Sequence, residues 1–174
     1  RGASYRWPEP SHFSDHSTIG YHNRARMLRP ESIGLFTSGL SLDPAVSVID
    51  AIGDLPAVEP GREATEYDRP PTTAFQRARR GRCTGLTWHD ATAHREHMME
   101  IIRHSGPNIS HIPKHLVTSG FSSCYSRLAP EEPSVTITVN FVHPASNRCI
   151  HPTANRALTP REGARLQSFD DSFR

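Results

Sequence analysis

Near one end of the chain, three residues fix where a helix must begin. In NRALTPREGARLQSFDDSF, residues 155–173, Thr159 is followed by Pro160 and, three residues on, by Glu162. A threonine hydroxyl accepts a hydrogen bond from the backbone N–H three residues later, which fits Thr159 as the N-cap. Pro160 at the first helical position gives up an N–H that would be unpaired anyway. Glu162 reaches back to the cap and completes a capping box. Within the helix Ala164 suits a buried contact. Leu166 and Phe169 are three apart and Arg161 and Arg165 four apart, so the pattern predicts one apolar face and one cationic, solvated face.

Three further elements are legible upstream. In SVIDAIGDLP, Ser47 can cap a short helix with Asp50 at the capping-box position, and Val48, Ile52 and Leu55 share a face until Pro56 ends it. In HDATAHREHMMEIIRHSGP, Asp90 is placed to cap a helix in which His94, Met98, Ile101 and Ile102 recur at helical spacing, with Ser105-Gly106-Pro107 as the stop. In SVTITV, Val135, Ile137 and Val139 alternate with Thr136 and Thr138, which predicts a half-buried strand with a threonine face. Between them, GREATEYDRPPTTAF is polar and proline-rich and predicts an exposed loop.

The chain has 174 residues, of which 35% are hydrophobic, with 15 prolines and 11 glycines. That allows one loop-rich domain with a core of limited size, or a small domain with an appended piece. A net charge of only +2 guarantees no uniformly basic surface. Arginine is nonetheless dense in two places, NRARMLR (residues 23–29) and QRARRGR (residues 76–82). Such clusters suit a phosphate-tracking surface, though they equally suit a solvated linker.

Eleven histidines invite a metal site, with His94 and His97 three apart, His89 and Cys83 before them, and Cys149 and His151 as a second close pair. Tetrahedral zinc sites combine two tight ligand pairs, and no such combination is present, so no metal site is predicted. The three cysteines, Cys83, Cys124 and Cys149, are an odd number without a signal peptide or an apolar membrane-spanning run. That pattern favours free thiols in a reducing, cytoplasmic setting and no membrane association.

The segment HPTANRALTPREGARLQSFDDSF resembles the motif near the C-terminus of DNA cytosine-5 methyltransferases, HP, a short gap, then R-x-L-T-x-R-E-x-A-R-L-Q-x-F-P-D-x-F. His151, Pro152, Arg156, Leu158, Thr159, Arg161, Glu162, Ala164, Arg165, Leu166, Gln167, Phe169 and Phe173 stand in place. Asp170 departs from it, replacing a proline that would sharpen the helix stop. Upstream, Tyr125, Arg127, Leu128, Pro133, Thr136, Ile137 and Thr138 match the family's Y-x-R-L and P-x-x-T-I-T elements, and Ile112, Pro113 and Leu116 its I-P-x-x-L element. SVIDAIGDLP resembles its D-A-I-x-D-L-P element and YRWPEPSHF the segment after its eighth conserved block.

The resemblance implies a mixed α/β fold: a small loop-rich target-recognition domain, with a strand and helix belonging to the edge of a Rossmann-like methyltransferase domain. By position, residues 1–56 link the catalytic domain to the recognition region, 57–150 form the recognition domain and 151–174 form a motif helix packing back on the catalytic domain. The family's glycine-rich loop for S-adenosylmethionine, its Pro-Cys nucleophile, its Glu-Asn-Val segment and its Gly-Asn-Ala-Val segment do not appear. None of the three cysteines follows a proline, so no catalytic residue is assigned. The chain starts at Arg1 and stops at Arg174 just as the motif would run on, which predicts an inactive fragment of a longer enzyme, with S-adenosylmethionine bound by the missing part. The alternative is a separate non-catalytic recognition subunit of a split methyltransferase.

The implied partners are the major groove of double-stranded DNA and the catalytic domain, in the same polypeptide or a companion. Two loops are the expected readers. The first, residues 119–127, carries Ser122 and Arg127, with Gly120 permitting close backbone approach. The second, residues 140–148, carries Asn140, suited to adenine, and Asn147, more suited to a turn. Thr136 and Thr138 are candidate phosphate or backbone contacts, and Arg79 and Arg80 candidate phosphate contacts. Arg156, Thr159, Arg161, Glu162, Arg165 and Gln167 are expected to be structural.

Overall fold

The computed structural model describes residues 11–13 and 42–174. Most of YRWPEPSHF and all of NRARMLR lie outside the described residues. The chain divides into two compact units, Arg1–Ala45 and Val46–Arg174. In the first, strand β1 (His12–Phe13) pairs in parallel with β2 (Asp43–Pro44), and the Asp43 N–H donates to the Ser11 carbonyl at 3.1 Å.

The second unit opens with helix α1 (Val48–Ile52). Its start is the reciprocal capping box read in the sequence: Asp50 N–H donates to Ser47 Oγ at 3.2 Å, and Asp50 Oδ2 accepts from Ser47 N at 3.4 Å. Val48, Ala51, Ile52 and Leu55 face inward and meet Leu86, Leu128 and Leu158 in one core cluster. Helix α2 (Ala74–Arg80) is capped by Thr73 and Gln76 in the same way and ends at Gly81, whose φ of 54° is natural only for glycine. Thr73 Oγ1 donates to the Asp50 carbonyl at 2.9 Å and Gln76 Nε2 to the Ile49 carbonyl at 3.4 Å, locking α2 to α1. The QRARRGR cluster is thus mostly helix rather than linker.

Before and after α2 the chain forms a short antiparallel ribbon, residues 61–66 against 85–91. Leu86 N–H donates to Thr65 at 2.7 Å, Ala64 N–H to His89 at 3.0 Å and Ala91 N–H to Arg62 at 2.8 Å. GREATEYDRPPTTAF is largely exposed, as expected, but its first half is paired. The ribbon also corrects the start of the next helix. Asp90 bridges Glu63, so it cannot cap, and α3 (Glu96–His104) begins after Arg95 without a side-chain cap. Ile101 and Ile102 are buried, and the helix stops at Ser105 where the sequence indicates.

After α3, a 3₁₀ turn (Ile109–His111) leads to β3 (Ser126–Arg127), which pairs in parallel with β4 (Arg148–Ile150) across an irregularity between Ser126 and Arg127. The chain then doubles back: His151 N–H donates to Arg156 at 2.9 Å and Leu158 N–H to Cys149 at 3.0 Å, delivering Thr159 to the start of α4 (Pro160–Leu166). The architecture is the mixed α/β arrangement expected, with small two-stranded parallel sheets.

The threonine stretch is not a ladder strand. Residues 133–138 are extended without a sheet partner, and the alternation is satisfied by packing: Val135 and Ile137 lie against the core while Thr136 and Thr138 face out. Val139 does not continue the pattern and points into solvent.

Phe141, just after it, fixes this stretch to α4. Its ring covers Gly163 so closely that a Cβ there would lie 2.5 Å from two ring carbons. A helix-interior glycine ordinarily gives up about 1 kcal/mol relative to alanine. Here the sign reverses: Gly163→Ala is expected to destabilise the chain by about 1–3 kcal/mol through overpacking. Urea unfolding should show that loss and its relief by Phe141→Leu.

Candidate nucleic-acid interface

Helix α4 carries its charge inward. Arg156, Arg161 and Arg165 are all essentially inaccessible, and Glu162 with them, whereas Leu166 is half-buried and Phe169 exposed. The solvated cationic face that four-residue spacing suggests is therefore replaced by a buried one, and the reason is the partners waiting for it.

Arg165 lies between two carboxylates. Its Nε and Nη2 each donate to Asp171 at 2.6 Å, while Nη1 and Nη2 donate to Asp54 at 3.0 and 3.3 Å. Nη1 also donates to the Ala51 carbonyl at 2.9 Å, so all five N–H groups are used. Burial alone would lower the Arg165 pKa, but hydrogen bonds to Asp171 and Asp54 outweigh it and raise it. The Tyr67 hydroxyl donates to Asp171 as well, and burial together with that bond raises the phenol's pKa.

Arg156 grips Glu162 through two bonds of 2.8 and 2.7 Å and donates to the Val58 carbonyl at 3.0 Å. Glu162 also accepts from the Thr159 N–H at 2.8 Å, so one carboxylate completes both the capping box and the ion pair. Burial by itself would raise the Glu162 pKa; the Arg156 guanidinium overrides it and holds the carboxyl below its usual range.

Arg161 gathers the end of the chain. It donates to Thr87 through its carbonyl (2.9 Å) and hydroxyl (2.8 Å), and to the carbonyls of Phe173 (2.9 Å) and Asp170 (3.2 Å). Its own backbone N–H donates to the Trp88 carbonyl at 2.9 Å, supporting Trp88 at a φ of 62° that only glycine adopts freely.

His89, weighed in the sequence as a metal donor, is a buried tie instead. Its Nε2 donates to the Pro56 carbonyl at 2.8 Å and its Nδ1 shares a 3.0 Å hydrogen bond with the Thr159 hydroxyl. Among the described residues no three His, Cys, Asp or Glu side chains are grouped to hold a metal ion. Cys124 and Cys149 are buried, and burial pushes both thiols up, away from the thiolate that nucleophilic chemistry needs.

The residues expected to touch DNA divide into two groups. Arg127 spends four N–H groups inside the chain, on the carbonyls of His151 (2.7 Å), Ala154 (2.6 Å) and Ile102 (3.2 Å) and on Asn155 Oδ1 (3.0 Å). Arg79 pairs with Asp170 at 3.0 Å and donates to the Ser168 carbonyl at 2.7 Å; Arg80 sits 3.5 Å over the Tyr67 ring and donates to the Arg69 carbonyl at 2.7 Å. Asp170, the departure from the family's proline, is thus the Arg79 partner. Ser122, Thr136, Thr138 and Asn140, by contrast, are exposed. Asn147 occupies the turn before β4. The two loops are tied together by the Tyr125 N–H, which donates to the Pro144 carbonyl at 2.8 Å. Gln167 closes α4, its N–H donating to Ala164 at 3.1 Å and its Nε2 to Gly163 at 3.4 Å.

This arginine-rich helix and the mixed fold around it can be set beside known proteins. Residues 51–174 match the model of the C-5 cytosine-specific DNA methylase family, and the chain belongs to that family. It is similar to the type II methyltransferase M.AgeI of Thalassovita gelatinovora, 26% identical over 96% of this chain and 51% of the relative. It is also similar to the type II methyltransferase M.DdeI of Desulfomicrobium norvegicum, 29% identical over 73% of this chain and 33% of the relative. The chain therefore spans about half of one of these relatives and a third of the other. Among the described residues no helix is long and apolar enough to cross a membrane.

Asp54, Asp171 and His89 hold the motif helix in place, and sequence reasoning assigned none of them that part. The signal for two of them was present, since each buried arginine demands a carboxylate and the matching D-A-I-x-D-L-P and F-x-D segments supply one each.

Removing Arg165 leaves two buried carboxylates without their cation. Arg165→Met is expected to cost about 3–5 kcal/mol in urea unfolding, as for other broken buried pairs. His151 predicts a pH dependence. Burial, with Arg156 nearby, depresses its pKa to about 4 despite Glu162 at 3.6 Å. The unfolded chain then binds more protons than the folded one between pH 4 and 6.5. Stability is present above that window and declines through it on acidification, by about 2–3 kcal/mol for this group. Thermal midpoints measured from pH 7 to 4 should fall less steeply in His151→Asn.

Proposed function

We propose that this chain reads DNA sequence for a cytosine-5 methyltransferase. Residues 57–150 form the target-recognition part, and the neighbouring segments, 46–56 and 151–174, form its base. In the complete enzyme the target cytosine leaves the helix, because its ring is unreachable inside a duplex, and the unstacking cost of a few kcal/mol is recovered in contacts made by the reader. The remainder of the enzyme would supply a thiolate that bonds transiently to carbon 6 and is released when carbon 5 loses its proton, and S-adenosylmethionine would supply the methyl group that replaces that proton.

The observation that carries this reading is the joint exposure of Ser122, Thr136, Thr138 and Asn140 above a base that buries the family motif's arginines. Hydroxyls and an amide on two loops tied to each other and on the threonine stretch leading into the second are the groups that address phosphates and base edges. Family membership over residues 51–174 supplies the substrate class.

S-adenosylmethionine does not fit the residues described here. Its adenosine needs a glycine-rich turn at a helix N-terminus and a free carboxylate for the ribose. The cavity beside α1, about 210 Å³, is lined by Glu59 and by Glu162, which Arg156 engages, and the one of about 430 Å³ by Glu132 among Pro107, Pro130 and Pro152; neither is lined by a glycine-rich turn at a helix N-terminus. Cofactor binding is work for the remainder of the enzyme.

Selection from a pool of random duplexes by the complete enzyme should enrich one site, bound with affinity that falls as salt rises. Asn140→Ala should then weaken binding by about 1–3 kcal/mol and relax preference at one base pair. Equal enrichment of all duplexes by the wild type would sink the proposal.

A further inference from the structure

The turn after the threonine stretch displays an apolar side chain that the fold does not use. Val139 is 96% exposed, the most exposed of the large hydrophobic residues described. Its neighbours Thr138 and Asn140 are exposed and polar. Single exposed valines are ordinary on protein surfaces. This one differs in how firmly its backbone is held.

The Phe141 N–H donates to the Thr138 carbonyl at 3.1 Å and closes the turn, and the Phe141 ring lies over Gly163 with no room for a Cβ between them. On the far side the Asn140 carbonyl accepts from the His143 N–H at 2.9 Å and from Ser146 Oγ at 2.6 Å. A hydroxyl, an isopropyl group and an amide are therefore presented in sequence from a turn braced at both ends. In the major groove an A·T pair offers a matching set: the thymine 5-methyl and O4, and the adenine N6 donor and N7 acceptor. No other unmodified pair presents a methyl group.

Resting on the reading of this chain as a DNA reader, we propose that the turn from Thr138 to Asn140 recognises an A·T pair, with Val139 packed against the thymine 5-methyl. Asn140 addresses the adenine edge of the same pair or its neighbour. Val139 is on this account a specificity-determining residue whose contribution is apolar and independent of salt.

The test uses the complete enzyme and the duplex it selects from a random pool, remade with each thymine in turn replaced by uracil, which deletes only the methyl. Wild type should bind one uracil duplex about fourfold more weakly, the value of one buried methyl group. Val139→Ser should bind the thymine and uracil duplexes equally, with an unchanged thermal midpoint. Indifference of the wild type to uracil at every position overturns the inference while leaving DNA reading intact. An equal penalty in wild type and Val139→Ser assigns the methyl to another residue and overturns it as well. Failure to enrich any duplex removes the functional reading itself.

Discussion

The guanidinium of Arg165 between Asp54 and Asp171 is the contact on which the rest of the unit depends. Asp54 follows α1, Asp171 belongs to the closing turn, and Arg165 stands on α4, so one cation joins three segments beside the small core that α1 shares with Leu158 and Leu166. With 35% hydrophobic residues and 15 prolines, the chain cannot build a large core. Buried ion pairs give modest net stability, because desolvation consumes most of the Coulombic gain. What they supply is geometry, since a five-donor fork with every N–H placed tolerates little displacement of its acceptors.

Arg156 and Arg161 extend that logic to the segment that follows α1. Through Val58 and Thr87 they fix the two ends of the stretch that includes the antiparallel ribbon and α2. His89 adds a bond from the ribbon to Pro56 and to the cap of α4. The helix cap, the ion pairs and the ribbon are therefore one connected polar network. A connected network of this kind is worth having only when its members are satisfied, and here the motif arginines' guanidinium groups all find acceptors.

Local chemistry was readable from the sequence and partner choice was not. The caps at Ser47 and Thr159 were legible because a capping box is closed within four residues. The stop at Ser105 was legible for the same reason. Asp90 was misread as a cap because its bridge to Glu63 lies 27 positions away and leaves no local trace. The threonine stretch has the alternation of a strand, yet alternation reports only which side faces the core; whether a neighbouring strand is present is a question of topology. Arg161 and Arg165 look solvated on a helical wheel because their carboxylates come from elsewhere in the chain. Thr136 and Thr138 were named from the family motif and Ser122 and Asn140 from loop position, and the difference in exposure between them and Arg79, Arg80 and Arg127 required coordinates.

That distinction bears on the proposed role of the chain as a DNA reader. Arg79, Arg80, Arg127, Arg156, Arg161 and Arg165, six of the chain's 20 basic side chains, are engaged with its own carbonyls, carboxylates or rings. A nucleic-acid surface gains most of its non-specific affinity from cations that displace counterions, and these six are already committed elsewhere. What the exposed loops retain are hydroxyls, an amide, the Val139 isopropyl group and the Phe121 ring. On the proposed reading such groups would discriminate between base pairs but attract DNA weakly. Affinity would then have to come from other basic groups, while the braced loops would convert a bound duplex into a recognised one. Phosphate attraction is indifferent to sequence, so a protein that separates the two functions can vary its loops without rebuilding the electrostatics that bring DNA to them.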